Sequence, residues 1–213
     1  MTKINYDYIE KYLDDLNDDY SLNVLRMKAI ENKVPIIRRS SLKFLETIIK
    51  IKNPKNILEL GTAIGYSTIC LRKLANCKIT SIELSKKNYN QALNNIEKYD
   101  YDNLKLYNLI NCDAIKALKT INQGFDFVFI DCDKSHYKEY FNECDRLLKN
   151  GGIIVCDNIL FNGQVASDDL VKKRDITIVK RLREFLVYLE NLENYTTTFV
   201  PIGDGISISI KEF

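Results

Sequence analysis

This chain of 213 residues has no tryptophan, a single histidine (His136) and only three prolines, Pro35, Pro54 and Pro201. One histidine leaves one residue to serve any Ser/His/Asp triad, which argues against a serine hydrolase; following a loop, His136 reads as a surface or substrate-facing residue. The six cysteines, at 70, 77, 112, 132, 144 and 156, include no CxxC pair and sit mostly in apolar stretches, so they read as reduced thiols filling the core. Cys132 sits beside Asp131 and is the one placed to line a site, yet packing is the better reading because a nucleophilic thiolate needs a stabilising base. No apolar run approaches the ~20 residues that cross a bilayer, and Met1–Asp7 carries neither the basic region nor the apolar run of a signal peptide. The expectation is a cytoplasmic protein with no membrane partner. Neither sign of charge dominates, with 31 Lys and Arg against 29 Asp and Glu, so net charge identifies no nucleic-acid partner and leaves only a local basic patch open. Internal repeats, low-complexity tracts and Gly/Ser linkers are also missing.

What is present suits one domain over 1–213, since 46% of the residues are hydrophobic and a chain of this length buries a substantial core. The first part, 1–55, carries helical spacing: Ile4, Tyr8, Ile9, Tyr12, Leu13 and Leu16, then Leu42, Leu45, Ile48 and Ile49. From Asn56 the rhythm changes to short apolar runs between amphipathic helices, with strands expected near 56–60, 79–83, 104–108, 126–131 and 152–156. That alternation predicts an α/β core over 56–213, a parallel sheet with helices on both faces. Near the end, Thr196–Ile202 and Ile206–Ile210 flank Gly203-Asp204-Gly205 and read as a β-hairpin. A long helix with a stripe of Ile176, Val179, Leu182, Leu186 and Leu189 precedes it.

The run Ile57-Leu58-Glu59-Leu60-Gly61-Thr62-Ala63-Ile64-Gly65-Tyr66-Ser67 is a strand ending in a tight glycine-containing turn, the place where ligands of open α/β sheets bind. A dinucleotide site would show G-x-G-x-x-G, which this run does not, so a nicotinamide dehydrogenase is disfavoured. The next strand ends at Glu83, where a carboxylate accepts hydrogen bonds from both ribose hydroxyls. Cys112-Asp113-Ala114 follows the third strand and offers an acceptor for an adenine edge. These placements resemble class I S-adenosylmethionine-dependent methyltransferases. The resemblance implies seven strands in the order 3-2-1-4-5-7-6, the last antiparallel, with Gly61, Ala63 and Ser67 along the methionine and ribose, Glu83 on the ribose, and Asp113 and Ala114 on the adenine.

Two further apolar runs end in acid or amide groups: Phe127–Asp131, and Ile153–Asn158 with Asp157-Asn158 at its close. If those strands are adjacent, Asp131, Asp157 and Asn158 meet at one crevice, and three oxygen donors suit Mg²⁺ or another divalent cation. Helix capping is the plainer alternative for each Asp alone. Phe129–Tyr137 together with Asp157-Asn158 resembles the metal-dependent O-methyltransferases of the catechol and caffeoyl-CoA type. The resemblance implies that Asp131, Asp157 and Asn158 bind the metal, that Asp131 also borders the cofactor, and that Lys134 matches the general base. A divalent cation makes a hydroxyl ionise more readily, in keeping with those roles.

Within that family the chain looks most like bacterial tRNA 5-hydroxyuridine methyltransferases, on Ile57–Ser67, Asp157–Gly163, Lys173-Arg174 with Thr177-Ile178-Val179 and Arg181, and Ile202–Gly205. By this resemblance the acceptor is the wobble uridine in the tRNA anticodon loop, whose 5-hydroxyl neighbours a 4-carbonyl, and the protein is a homodimer. The apolar N-terminal helices are one place for that contact, although they equally suit packing on the chain's own sheet. Basic residues available to phosphates are Lys172, Lys173, Arg174, Lys180, Arg181 and Arg183; Arg38 and Arg39 either join them or solvate a helix start. The catechol enzymes place a tryptophan near the metal loop where this chain has Asp133, so a small flat catechol lacks that wall. A small catechol-like or phenylpropanoid acceptor is the alternative, and a noncatalytic nucleoside-binding module, which has no need of Lys134 or the metal trio, is a distant one.

Overall fold

The uninterrupted apolar runs that end in Leu60 and Ile130 require cover on both faces, and the fold supplies it. The computed structural model describes residues 8, 9, 11, 12, 16 and 22–212; the expectations on Ile4 and Leu13 fall outside them. Seven strands form one sheet, β1 (Asn56–Leu60), β2 (Lys78–Glu83), β3 (Tyr107–Asn111), β4 (Phe125–Ile130), β5 (Leu148–Cys156), β6 (Tyr195–Val200) and β7 (Ile206–Lys211). Their order is β3-β2-β1-β4-β5-β7-β6. β1 to β5 pair in parallel, and β7 runs antiparallel between β5 and β6, as expected.

Side chains alternate across the sheet. Ile57, Phe127, Phe129 and Val155 join the core on one face, with Leu45 and Ile49 of α2 (Arg39–Lys52) and Leu25 and Ala29 of α1 (Asn23–Glu31). Leu58, Val128, Ile130 and Ile154 join the core on the other face, with Phe141 of α6 (Tyr137–Leu147) and Phe185 of α7 (Ile176–Glu190). Phe127 and Phe129 are fully buried, each contributing about 3 kcal/mol relative to exposure. On the outer face of α1, Val24, Met27 and Ile30 are exposed, as are the helical residues Tyr8, Ile9, Tyr12 and Leu16.

Three expectations shift, one being that β5 begins at Leu148, four residues before its expected start. The third strand starts at Tyr107 because a 3₁₀ turn occupies Tyr101–Leu106 and leaves Leu104 exposed; pairing of Tyr107 with Ile79 and Asn111 with Glu83 sets the register. Along α7 the buried stripe is Val179, Leu182, Phe185 and Leu189, while Leu186 is half-buried and Ile176 exposed. Phe185 takes the inner position because its ring meets Tyr137 edge-on at 5.7 Å and Phe141 at 6.1 Å. The remaining helices are α3 (Tyr66–Ala75), α4 (Lys86–Asp100) and α5 (Ala114–Thr120).

Candidate active site

The cofactor-side wall grows from the carboxyl ends of β1 and β2. Leaving β1, the chain turns through Gly61 at φ +102°, and a Cβ there would lie 2.0 Å from the carbonyl oxygen of Asp131. Gly65, at φ +83°, would place a Cβ 3.2 Å from that of Ala92. Both glycines thus make room for neighbouring chain, and Gly61 also lines the cavity. Ala63 keeps a left-handed φ of +45°, uncommon for a residue with a side chain, and is anchored there by its amide, which donates to Glu83 Oε2 at 2.8 Å. Ser85 N donates to the other oxygen at 2.8 Å. Glu83 is therefore fixed with lone pairs left to accept ribose hydroxyls.

Beneath this turn lies a residue whose importance the strand pattern concealed. Glu59 is fully buried and accepts from Ser67 Oγ at 2.6 Å, Ser81 Oγ at 2.6 Å and the Thr68 hydroxyl. Burial pushes its carboxyl up to about 7, against the opposing pull of those three hydroxyls. An acid inside an otherwise apolar strand was the available signal. Asp113 caps α5 by accepting from Lys116 N at 3.0 Å. With Ala114 it stands beside β2, where Cys112 N bonds Glu83 O at 3.1 Å, and outside the cavity lining.

The opposite wall comes from β4 and β5. Ile130 pairs with Cys156 in parallel register, so the next residues, Asp131 and Asp157, emerge side by side. The Tyr137 hydroxyl donates to Asp157 O at 2.9 Å, and Asn158 N, at a left-handed φ of +54°, donates to Asp157 Oδ1 at 2.8 Å. The hairpin turn braces this segment: Ile159 N and Leu160 N donate to Gly205 O and Asp204 O at 3.0 and 2.9 Å. Lys134 rides the 3₁₀ turn Lys134–His136, capped by Asp133, and its Nζ lies 3.9 Å from Asp131 Oδ1. Burial raises the Asp131 carboxyl while Lys134 lowers it; burial, then the charge of Asp131, push Asp157 up to about 7. Two crowded carboxylates facing one lysine suit a divalent cation, and Asn158 lines the same cavity. Among the described residues no three His, Cys, Asp or Glu side chains gather into a group that could hold a metal ion.

Both walls open on one cavity of about 420 Å³, lined by Gly61, Ala63, Ser67, Glu83, Asp131, Lys134, Asp157 and Asn158, with Cys132, Tyr66 and the Pro35–Arg38 segment. Burial raises the Cys132 thiol, consistent with packing, and all six cysteines are free. His136 lies outside the lining and bonds Glu139 at 3.2 Å.

The basic residues divide. Arg38 reaches the cavity rim, and Lys172, Lys173 and Arg174 are exposed outside it, Arg174 at 3.6 Å from Asp175. Lys180 lies 4.0 Å from Glu184, and Arg181 donates to Ser135 O at 3.1 Å. Arg39 bonds Asn23 at 2.9 Å. Arg183 donates to Val165 O at 3.0 Å, Gln164 O at 3.3 Å and Asp168 Oδ1 at 2.6 Å, which makes it a clamp on the loop after Asn162. Buried Gln164 completes that clamp by accepting from Lys172 N and donating to Asp175. Among the described residues no helix is long and apolar enough to cross a membrane.

An O-methyltransferase family profile matches residues 14–212. A candidate caffeoyl-CoA O-methyltransferase of Arabidopsis thaliana is 37% identical over 171 residues, covering 78% of this chain and 73% of the relative. Caffeoyl-CoA O-methyltransferase 1 of the same plant is 32% identical over 176 residues, covering 78% and 67%. Among solved structures, a candidate caffeoyl-CoA O-methyltransferase of Staphylococcus aureus superposes with a TM-score of 0.89 at 33% identity, covering 96% of this chain and 99% of the other. An O-methyltransferase of Bacillus cereus in complex with S-adenosylhomocysteine superposes at 0.82 with 25% identity, covering 96% and 97%.

Proposed function

The chain belongs to this family of S-adenosylmethionine-dependent O-methyltransferases of caffeoyl-CoA type, and we propose that it methylates a hydroxyl lying next to a second oxygen, with 5-hydroxyuridine at the tRNA wobble position as acceptor. The observation carrying the reading is that the Gly61–Ser67 turn, Glu83, Lys134 and the Asp131, Asp157, Asn158 trio face one cavity. When bound, S-adenosylmethionine supplies the electrophilic methyl, and a divalent cation such as Mg²⁺ supplies charge that favours the ionised acceptor oxygen.

The chain's own residues do the positioning. Glu83 accepts the ribose hydroxyls, Ala63 and Ser67 border the methionine portion, and Asp113 and Ala114 serve the adenine. Asp131, Asp157 and Asn158 would hold the cation, which would supply charge that favours the ionised acceptor oxygen. Lys134, on the same wall and held by the capped turn, would accept the hydroxyl proton on the free-amine form of its Nζ. Lys172, Lys173 and Arg174 extend from the loop after Asn158 and contact phosphates of the anticodon loop, with Arg38 at the rim. The exposed face of α1 pairs two copies into a homodimer.

A phenylpropanoid acceptor is the second reading, favoured by the caffeoyl-CoA relatives. The discriminating experiment is transfer of labelled methyl to hydroxylated tRNA and to caffeoyl-CoA, each with Mg²⁺ or EDTA, followed by mass spectrometry of the product. Metal-dependent 5-methoxyuridine supports the tRNA reading. Methylation of the thioester alone replaces it with the second. Reversing Lys173 and Arg174 to Glu should raise KM for tRNA strongly and leave a free nucleoside little affected; equal effects on both reject the phosphate role.

A further inference from the structure

Lys134 lines two hollows. Besides the active-site cavity, it borders a separate one of about 350 Å³ on the outer side of the same turn, shared with Ser135, His136, Lys138 and Arg181. Three basic side chains, Lys134, Lys138 and Arg181, converge there from two elements, the turn leading into α6 and the face of α7. Two acids share the wall: Glu139 bonds His136 Nδ1 at 3.2 Å, and Glu184 lies 4.0 Å from Lys180. Basic side chains outnumber acidic ones in the lining by three to two.

The cations are also held in place. Arg181 Nη1 donates to Ser135 O at 3.1 Å, which fixes the guanidinium plane against the turn carrying Lys134 and leaves other N–H groups of its fork to donate. Lys138 Nζ sits 4.5 Å over the Tyr188 ring, restricting a side chain that is otherwise free to sweep solvent. A rigid guanidinium fork flanked by ammonium groups matches the tetrahedral oxygens of a phosphate.

We propose that this hollow seats a phosphate group of the acceptor, next to the reacting hydroxyl, so that Lys134 connects the phosphate seat to the methyl-transfer cavity. The inference rests on the reading of that cavity as the acceptor site. Phosphodiesters of a polynucleotide and phosphates of a coenzyme A thioester share this chemistry.

The test combines binding with turnover. Lys138→Gln and Arg181→Gln, alone and together, are titrated with a fluorescent anticodon stem-loop RNA and with coenzyme A at several salt concentrations. Turnover is followed on a phosphate-free catechol. Each lost charge should weaken the phosphate-bearing ligand about tenfold, and the double variant should flatten the salt dependence for RNA by about two ions. Lys138→Gln should leave catechol turnover unchanged, and since the Lys138 ammonium sits over the Tyr188 ring it separates lost charge from a displaced turn. Weakening confined to the RNA, or to coenzyme A, identifies the source. Equal affinity of wild type and variants for both ligands, no binding of either by wild type, or an equal fall in catechol turnover overturns the seat. If wild type turns over no acceptor while the variants still lose phosphate affinity, the acceptor reading fails and the seat stands.

Discussion

Replacing Gly61 with alanine tests the tightest contact between the cofactor turn and the proposed metal wall. The new methyl carbon would lie 2.0 Å from the Asp131 carbonyl oxygen and 2.9 Å from its carbon, and these are backbone atoms that cannot swing aside. Relief requires the ends of β1 and β4 to separate, which also displaces the carboxylate of Asp131. Backbone strain at φ +102° contributes about 1–3 kcal/mol, and overpacking of a filled space about 1–3 kcal/mol more. Together they predict a loss of about 2–6 kcal/mol, or a melting temperature roughly 5–15 °C lower for a chain of this size. Urea titration should show a lower midpoint with an unchanged slope, and turnover should fall with it. Gly163→Ala is the control. Its φ is +76°, but the nearest atom, Leu170 Cδ1, lies 3.5 Å from the added carbon, so strain acts there without the clash. If Gly61→Ala is no less stable than Gly163→Ala, within about 0.5 kcal/mol, the argument from close approach is refuted.

Two other outcomes follow from the same geometry. Asp157→Ala should abolish turnover while calorimetric affinity for S-adenosylhomocysteine stays within a few-fold; unaltered turnover would remove the metal assignment. Because burial raises the Glu59 carboxyl from 4.5 to about 7, the folded state binds more protons there than the unfolded chain, and the associated stability, present below pH 4.5, is lost as pH rises through about 7. That loss amounts to about 3 kcal/mol, and Glu59→Gln should remove it, leaving the share from Asp157, which is also raised to about 7. Denaturant titrations from pH 4.5 to 8 check this, and parallel curves for the two proteins would contradict it.

The strands and the loop positions that carry the site were legible in the amino-acid order because each rests on a short-range pattern. Continuous apolar runs ending in Glu59-Leu60-Gly61, Glu83, Asp131 and Asp157-Asn158 announce buried parallel strands with polar groups at their carboxyl ends. The seven-strand order came through the family resemblance of those motifs, and the sheet follows it. Where a pattern was ambiguous, pairing decided. Leu104 and Leu106 alternate with polar residues like strand residues, yet the register of Tyr107 with Ile79 starts β3 later.

The local run of residues established which groups lie at strand ends, because alternation and burial are properties of neighbours in the chain. Three-dimensional packing established what those groups do to one another. Only the β4–β5 register sets Asp131 beside Asp157, and only burial gives Glu59 its raised carboxyl and its three hydroxyl partners. Basic residues two apart in sequence also part company in space, Arg183 clamping a loop through three acceptors while Arg181 turns to Ser135 at the second hollow. Charge identity is written in each residue, whereas the partner that occupies or spares that charge is supplied by segments far away in the chain.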